Sequence, residues 1–198
     1  MRVEVLTGAA LEAALEDVAL LRIRVFRDWP YLYDGELAYE WDYLAAYRNS
    51  PDAILVGAFD GARLVGAATG TPMVDHADDF AAAFDGSGLA LGDIFYCAES
   101  VLLPEYRGQG VGHRFFDLRE DHARSLGARV SAFCGVVRPD EHPLRPDGYV
   151  PLDGFWRKRG YQPLEGAVAW FSWRDVDQAS ETRKPLQVWT RVLDGGAA

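Results

Sequence analysis

Residues 100–112 read Ser-Val-Leu-Leu-Pro-Glu-Tyr-Arg-Gly-Gln-Gly-Val-Gly and lead from an apolar stretch into a turn with glycine at alternate positions. A helical pattern over about residues 111–126 follows at once, with one side formed by Phe115, Leu118, His122 and Leu126. Glycine adopts φ values closed to other residues and lets a ligand approach the backbone. The first amides of a helix lie at the positive end of its dipole. The segment therefore predicts a strand, a turn and a helix start that together bind an anion on backbone amides.

Two common nucleotide-binding signatures do not fit this turn. The Walker pattern requires Gly-Lys-Ser/Thr after its loop, and the dinucleotide pattern requires glycine where His113 stands. ATP and NAD are therefore disfavoured as ligands. A glycine-rich turn without any ligand stays open as the alternative, because short glycine motifs often match by chance.

The turn resembles the signature of the GCN5-related N-acetyltransferase (GNAT) superfamily, Arg/Gln-x-x-Gly-x-Gly/Ala, with Arg107, Gly110 and Gly112 at the defining positions. Pro-Glu-Tyr at 104–106 precedes that arginine in many bacterial members, and Phe-Trp-Arg-Lys-Arg-Gly-Tyr at 155–161 is similar to the family's late Phe-Tyr-x-x-x-Gly-Phe segment. The resemblance implies an α/β (α+β) fold, with a mixed, twisted central sheet flanked by helices and a parallel strand–helix–strand cofactor wedge. It also implies acetyl-CoA as cosubstrate in that wedge.

The resemblance further implies which residues contact acetyl-CoA. The strand end contributes Val101, Leu102 and Leu103, and a main-chain amide near Leu102 polarises the thioester carbonyl. The turn holds the pyrophosphate through Arg107, Gly108, Gln109, Gly110, Val111 and Gly112. His113 at the helix start is a further candidate for phosphate contact, as is Arg114, for which an ordinary solvated position is the alternative.

Size and charge limit the classes of function. With 198 residues, of which 49% are hydrophobic and 25% charged, the chain suits one domain over residues 1–198. A net charge of -10 repels phosphate backbones, so we expect no nucleic-acid partner and a basic acceptor. Anionic CoA must then be bound by local donors that outweigh this repulsion at short range.

The sequence predicts a cytoplasmic protein without a membrane partner. The segment Met-Arg-Val-Glu-Val at the start lacks the apolar stretch of a signal peptide, and no run of about 18 apolar residues is present. Cys97 and Cys134 lie in apolar runs, so we expect both to be reduced and buried, without a disulfide. The alternative for Cys134 is that its side chain lines the acetyl wedge. The acidic stretch at 75–79 matches no standard ligand spacing, and we expect no metal.

Periodicity predicts the remaining elements. We expect a strand at 3–6, a helix from Thr7-Gly8 that is stopped by Trp29-Pro30, and a second helix closed by Asn49-Ser50-Pro51. The second helix is marked by Leu37, Trp41, Leu44 and Tyr47. An antiparallel hairpin follows at 53–59 and 63–71 about Asp60-Gly61.

The second half of the chain predicts a parallel crossover and a closing hairpin. The expected elements are a short helix at 76–84, one long buried strand at 93–103, a parallel strand at 129–137, a functional loop at 138–153, a short helix at 154–159, and antiparallel strands at 167–173 and 186–193.

Glu99 is the candidate general base. Acetyl transfer to an amine requires a neutral nucleophile, a stabilised thioester oxygen and a proton for the departing thiolate. A carboxylate just before the cofactor-contacting strand segment can accept the amine proton directly or through water. Alternation along one strand would place Glu99 on the same face as Cys97 and Val101. A surface or structural carboxylate is the alternative.

The general acid is less clearly marked. Members of the resembled family often use a tyrosine of the late helix, and the matching position here is Trp156. Because indole is not a proton donor of ordinary acidity, the role passes to Tyr149, another tyrosine or water. Plain packing in the loop is the alternative for Tyr149.

The acceptor is expected near residues 26–35, because this connection forms one wall of the substrate channel in the resembled family. Trp29, Tyr31 and Tyr33 concentrate aromatic surface there. Together with the carboxylates of Asp34, Glu36 and Glu40 they can hold a cation. Core or rim packing of the aromatic cluster is the alternative.

These observations predict an acetyl-CoA-dependent N-acetyltransferase that acts on a primary amine of a small-molecule or peptide acceptor. Direct attack in a ternary complex is favoured, since no activated nucleophile indicates a covalent route. A non-catalytic acyl-CoA-binding module or regulator is the alternative, and an interaction protein without a small ligand is a third. Monomer and homodimer both stay open.

Overall fold

The structure, a computed structural model, describes residues 1–76 and 80–193. Its strands are β1 (Arg2–Leu6), β2 (Ile54–Asp60), β3 (Arg63–Pro72), β4 (Ile94–Tyr96), β5 (Ser100–Leu102), β6 (Val130–Val136), β7 (Gln162–Arg174) and β8 (Glu181–Val192). Its α-helices are α1 (Gly8–Phe26), α2 (Leu37–Asn49), α3 (Val111–Ser125) and α4 (Asp153–Lys158).

One mixed sheet organises these elements, in the order β1-β2-β3-β4-β6-β8-β7, with β5 paired to β3. β4 and β6 run parallel, from the pair Ile94–Val130 to the pair Tyr96–Ala132. The other pairings are antiparallel. Because α3 joins β4–β5 to β6, this unit is the predicted strand–helix–strand crossover. The mixed sheet flanked by helices confirms the predicted fold class.

The prediction of one continuous strand over 93–103 is wrong, because a bulge divides it into β4 and β5. Thr71 pairs with Tyr96 and Ala68 with Ser100, so the β4–β5 side contains one residue more than β3 over the same distance. The extra residue reverses the alternation. Cys97 therefore approaches Ser131, with 3.4 Å between Sγ and Oγ, whereas Glu99 faces Arg22 of α1 at 2.7 Å. The expectation that Cys97 and Glu99 share a face is also wrong.

An arginine of α3 stabilises this bulge. Arg119 is 1% exposed, and its Nη1 donates to the carbonyl oxygens of Thr69 at 3.0 Å and Glu99 at 3.2 Å. Its Nη2 donates to Ser100 Oγ at 2.8 Å. These bonds supply partners to backbone groups at the irregular position, and thereby hold the main chain that carries Glu99.

The first two helices pack together through an unexpected charged pair. α1 buries Leu11, Leu15, Val18 and Leu21, which recur at helical spacing, and also Arg22. α2 buries Glu40 with Leu44 and Tyr47, whereas Leu37 and Trp41 are 38% and 40% exposed. The predicted second helix is present, with Leu44 and Tyr47 buried and Glu40 turned inward to meet Arg22.

The predicted short helix at 76–84 is helical at each of its described residues, with 3-10 turns at both ends and Phe80 helical between them. Met73–His76 and Ala81–Phe84 each form a single 3-10 turn, and residues 77–79 lie outside the described residues. The predicted loop before α4 and the closing antiparallel pair β7–β8 are present, with both strands longer than expected.

Candidate active site

The parallel strands β4 and β6 separate at the bulge. Their pairing ends with the hydrogen bond from Cys97 N to Ala132 O at 2.7 Å. Beyond it β5 pairs with β3 through Val101 and Ala67, while β6 stays paired with β8 as far as Val136. The main chains of β5 and of the second half of β6 therefore diverge, and a wedge opens between two parallel strands.

The glycine turn that follows β5 has the conformation expected of a backbone anion site at two of its three glycines. Gly108 and Gly110 have φ of +75° and +81°, and a Cβ at either position would meet nothing within 4 Å. Backbone conformation and the open space in front of the turn therefore explain these glycines. Gly112 instead lies in the first turn of α3, where a Cβ would contact the Phe155 ring at 3.5 Å.

The first backbone N–H groups of α3 have no acceptor within the helix. Gly110 is its N-cap, and the bond from Arg114 N to Gly110 O at 3.3 Å opens the helical ladder. The amides of Val111 and its two successors precede that bond and are the unpaired donors found at a helix start. Arg107 lies beside them, exposed, with Nε donating to Leu102 O at 3.2 Å. The turn can therefore receive a phosphate group on amides and one guanidinium.

A charged groove adjoins the start of α3. It is lined by His113, Arg114, Asp117, Glu120, Asp121, Arg124, Lys158, Arg159 and Arg191. Glu120 lies 3.1 Å from Arg159 and 2.8 Å from Arg191, so both arginines already pair with a buried carboxylate of the protein. Within residues 1–76 and 80–193, no carboxylate pairs with Arg114 or Lys158, and both remain accessible to an anion bound at the turn.

A cavity opens on the other side of the bulge, between α1, α2 and the β7–β8 hairpin. The space within it that can hold the centres of water molecules is about 90 Å³. Most of its lining is aromatic. The lining residues are Arg22, Phe26, Tyr31, Tyr33, Tyr39, Tyr43, Phe80, Tyr96, Ala98, Glu99, Cys134, Phe171, Ser172, Trp173 and Leu186. Ala98, Glu99 and Cys134 lie where β4 and β6 separate, so the cavity meets the wedge at that point.

Glu99 is held in this cavity by a buried cluster of charges. Its Oε2 lies 2.7 Å from Arg22 Nη1, and its Oε1 accepts a hydrogen bond from Thr69 Oγ1 at 2.7 Å. The Tyr43 hydroxyl donates to Oε2 at 3.2 Å. Arg22 Nε donates to Glu40 Oε2 at 2.5 Å. Glu40 and Glu99 are 0% and 4% exposed, so the single guanidinium compensates two buried carboxylates.

Neighbouring groups keep Arg22 charged and the cavity tyrosines neutral. Burial alone would lower the pKa of Arg22. Glu99, Tyr43 and Glu40 raise this pKa by more than burial lowers it, so the net shift is upward. The guanidinium also stacks on Tyr43 and Phe26, with 4.2 Å and 5.1 Å between its carbon and the ring centroids. Burial raises the pKa of Tyr31 well above its ordinary value.

Of the predicted acceptor residues, the structure brings two to the cavity. Tyr31 and Tyr33 line it, and Tyr31 packs on Phe26 with 4.3 Å between ring centroids. Trp29 lies outside it and packs against the loop between β6 and α4, 5.1 Å from His142 and 5.9 Å from Tyr149.

The predicted general acid is likewise placed outside the cavity lining. Tyr149 packs edge-on against Trp29, and burial raises the pKa of its hydroxyl. Trp156 packs between Phe133 and Trp189, at 5.0 Å and 5.1 Å between ring centroids. A Cβ on Gly135 would lie 3.0 Å from the Trp156 ring, so the indole fills space against β6.

Both cysteines are free and buried, as expected. Cys134 lines the cavity, and burial raises the pKa of its thiol to about 12. A thiol of this kind is protonated at neutral pH and is a poor nucleophile. Over the described residues, no group of three or more His, Cys, Asp or Glu side chains is placed to hold a metal ion. The same part of the chain contains no helix of the length and apolarity that a bilayer crossing requires.

Several cavity residues are absent from the sequence-based prediction. Arg22 has a signal in the sequence, because it lies four residues after Val18 and seven after Leu15 on the apolar side of α1. A charged residue in such a stripe needs a buried partner. Phe80, Tyr96, Phe171 and Trp173 have no such signal, since they come from separate segments that only the fold brings together.

Comparison with known proteins agrees with this geometry. A sequence model of the acetyltransferase (GNAT) family matches residues 18–145. No curated protein is significantly similar in sequence. Among solved structures, the chain is similar to an aminoglycoside 6'-N-acetyltransferase complexed with coenzyme A, with a TM-score of 0.59, 18% identity and 100% of both chains covered.

Two further solved structures share the fold. A ribosomal-protein-alanine N-acetyltransferase from Brucella melitensis has a TM-score of 0.60 and 12% identity, with 98% of this chain and 100% of that chain covered. An N-acetyltransferase from Staphylococcus aureus Mu50 has a TM-score of 0.60 and 8% identity at the same coverage. The family match covers more than half of the chain, and the predicted acyltransferase class is confirmed. The chain belongs to the acetyltransferase (GNAT) family.

Proposed function

We propose that this protein transfers an acetyl group from acetyl-CoA to a primary amine by direct attack within a ternary complex. The observation that carries the proposal is the position of Glu99, a buried carboxylate that lines a cavity where β4 and β6 separate. The CoA complex of the similar aminoglycoside enzyme supports the choice of cosubstrate. The named acceptors of the similar structures differ, so the shared fold does not identify the acceptor here.

The glycine turn and β5 fit the cosubstrate. The space in front of Gly108 and Gly110 is open, and the free amides at the start of α3 adjoin it. We assign the pyrophosphate to residues 107–112, with Arg107 as the charged contact. The pantetheine arm would then follow the main chain of Val101 to Leu103 into the wedge.

Glu99 is the proposed base. An acceptor amine has a pKa near 10 and enters mostly as an ammonium ion, so it must lose a proton before attack. Glu99 accepts that proton, and Arg22 with Thr69 orients its carboxylate. A covalent acetyl-enzyme is disfavoured because the pKa of Cys134, the thiol in the cavity, is raised to about 12.

The thiolate that leaves CoA requires a proton donor. Trp156 cannot serve, and Tyr149 lies against Trp29 outside the cavity lining. The role of Tyr149 therefore stays a prediction. A Tyr149→Phe variant that keeps its full turnover number would assign the role to another group or to water.

The proposal is tested by turnover. Acetyl-CoA is incubated with a panel of amines, and free thiol and the acetylated product are measured. Glu99→Gln should lower kcat by about 10²- to 10⁴-fold, the usual contribution of a general base, with CoA affinity unchanged. Glu105→Gln is the matched control, because Glu105 is exposed on the 3-10 turn after β5. Equal losses in both variants would contradict the role of Glu99.

A non-catalytic acyl-CoA-binding module is the competing proposal, and Trp156 favours it because the acid of the family segment is missing. Tight CoA binding, no thiol release with any amine or peptide, and no effect of Glu99→Gln would establish that function instead.

A further inference from the structure

The cavity next to Glu99 carries information about the acceptor, and the inference drawn from it rests on the proposed function. The buried cluster contains the cation of Arg22 and the carboxylates of Glu40 and Glu99. Its formal sum is one negative charge. Of the cavity-lining residues in the described part of the chain, Arg22 is the only lysine or arginine. One further cation would therefore neutralise the cluster, as the ammonium group of an amine does.

Two nitrogens of Arg22 are already bonded to carboxylates of the protein. Nε and Nη1 donate to Glu40 and Glu99, and aromatic rings flank the guanidinium carbon. A substrate carboxylate in this cavity would add a second excess negative charge to the buried cluster. Amines that carry a carboxylate, such as free amino acids, are therefore disfavoured.

The walls of the cavity suit a flat apolar body. Phe80 stacks on Phe171 with 4.9 Å between centroids and an angle of 27°, and Tyr96 lies 4.4 Å from Phe80. Tyr31 and Trp173 form a second stacked pair at 6.1 Å. Such rings gain from contact with apolar surface, and the faces of Phe80, Phe171 and Tyr31 attract an ammonium group. Trp173 already has Arg138 and Lys184 over its ring, at 5.7 Å and 5.0 Å from the centroid. A polyhydroxylated body would leave hydroxyl groups without partners against these rings.

We propose that the acceptor is a small primary amine that enters as a cation and carries a flat apolar group but no carboxylate. Phenylethylamine represents this class, and phenylalanine is its matched comparison, since the two differ only in the carboxylate. Spermidine tests charge without an apolar ring, and kanamycin tests a polar polycation.

The test measures kcat/KM for these four amines with saturating acetyl-CoA. We expect kcat/KM for phenylethylamine to exceed that for phenylalanine by about 50-fold, the effect of one unit charge at about 7 Å in an effective dielectric of about 20. The kcat/KM for phenylethylamine should also exceed the values for spermidine and kanamycin. If any of the other three is acetylated as well as phenylethylamine, the inference is overturned while the proposed function stands.

If none of the four amines is acetylated, the wider panel of amines and peptides decides the proposed function, and calorimetric titration of the protein–CoA complex still decides the inference. Phenylethylamine should then bind more tightly than the other three amines. Equal or weaker binding would overturn the preference.

Two variants test the wall and the charge separately. Phe171→Ala should raise KM for phenylethylamine at least tenfold, whereas Trp170→Ala should leave it within twofold. Trp170 is the neighbouring residue on β7, 48% exposed, with Arg183 over its ring. Glu40→Gln removes the excess negative charge and should reduce the preference for phenylethylamine over phenylalanine at least tenfold. An unchanged preference in a folded Glu40→Gln protein, together with equal effects at Phe171 and Trp170, would refute the assignment.

Discussion

The two ends of α3 allow a matched test of the glycine turn. Gly110 begins the helix with φ of +81°, and Gly127 follows its end with φ of +79°. A Cβ at either position would meet nothing within 4 Å. Gly127 caps the helix by a Schellman pattern, with bonds from its own N to Arg124 O at 3.0 Å and from Ala128 N to Ala123 O at 3.0 Å. The two glycines thus share their backbone requirement and differ in what they face.

Substitution by alanine should destabilise the protein similarly at both positions. An L-residue in the left-handed region costs about 1–2 kcal/mol, and 1 kcal/mol lowers Tm by about 2–4 °C in a chain of this size. Both variants should therefore melt about 2–8 °C below the parent. Thermal unfolding without ligand measures this common effect.

Affinity for CoA should separate the two variants. At Gly110 the added methyl group displaces a phosphate from the amides of the turn, and the loss of one charge-assisted hydrogen bond is worth about 1.5–3 kcal/mol. Calorimetry should show CoA affinity reduced about 10- to 150-fold in Gly110→Ala and unchanged in Gly127→Ala. The backbone strain of the alanine residue does not change the CoA affinity, because it is present in both the free and the CoA-bound protein. Equal CoA affinity in the two folded variants would refute the assignment of the pyrophosphate to this turn.

Three further outcomes follow from the buried polar groups. Burial alone would raise the pKa of Asp175, but hydrogen bonds from Arg138 and Lys184 outweigh it and hold the pKa below its ordinary value. As the pH falls, the Asp175 carboxylate is therefore protonated in the unfolded chain before it is protonated in the folded protein. The stability that Asp175 provides is present above about pH 4 and is lost below it. Asp175→Asn should lower the free energy of unfolding by about 3–5 kcal/mol at pH 7 in urea titrations, with a smaller difference below pH 4. Cys134, whose pKa is raised to about 12 by burial, should react with a thiol reagent at pH 8 only after unfolding; a Cys134→Ala protein that lost all turnover would contradict direct attack. Arg22→Met should destabilise the fold by about 3–5 kcal/mol, because it strands two buried carboxylates; a loss below 1 kcal/mol in the same titration would show that the cluster is not buried as described.

Local patterns in the sequence were sufficient for the family and for the conformation of the glycine turn. The hairpin about Asp60-Gly61, the glycine turn and the start of α3 depend on neighbouring residues, and each lies where the sequence predicts it. Such features are specified by turn chemistry and short-range periodicity. The signature from Arg107 to Gly112 belongs to this class.

The cavity that we propose for the acceptor depends on contacts that no local pattern encodes. The bulge that turns Glu99 toward α1 is held by Arg119 from the following helix. Glu99 itself meets Arg22, which lies 77 positions earlier in the chain. The cavity wall combines residues from Arg22 to Leu186. A buried charge must find its counter-charge wherever the packed chain provides one, and for Glu99 only the tertiary structure decided which residue that would be.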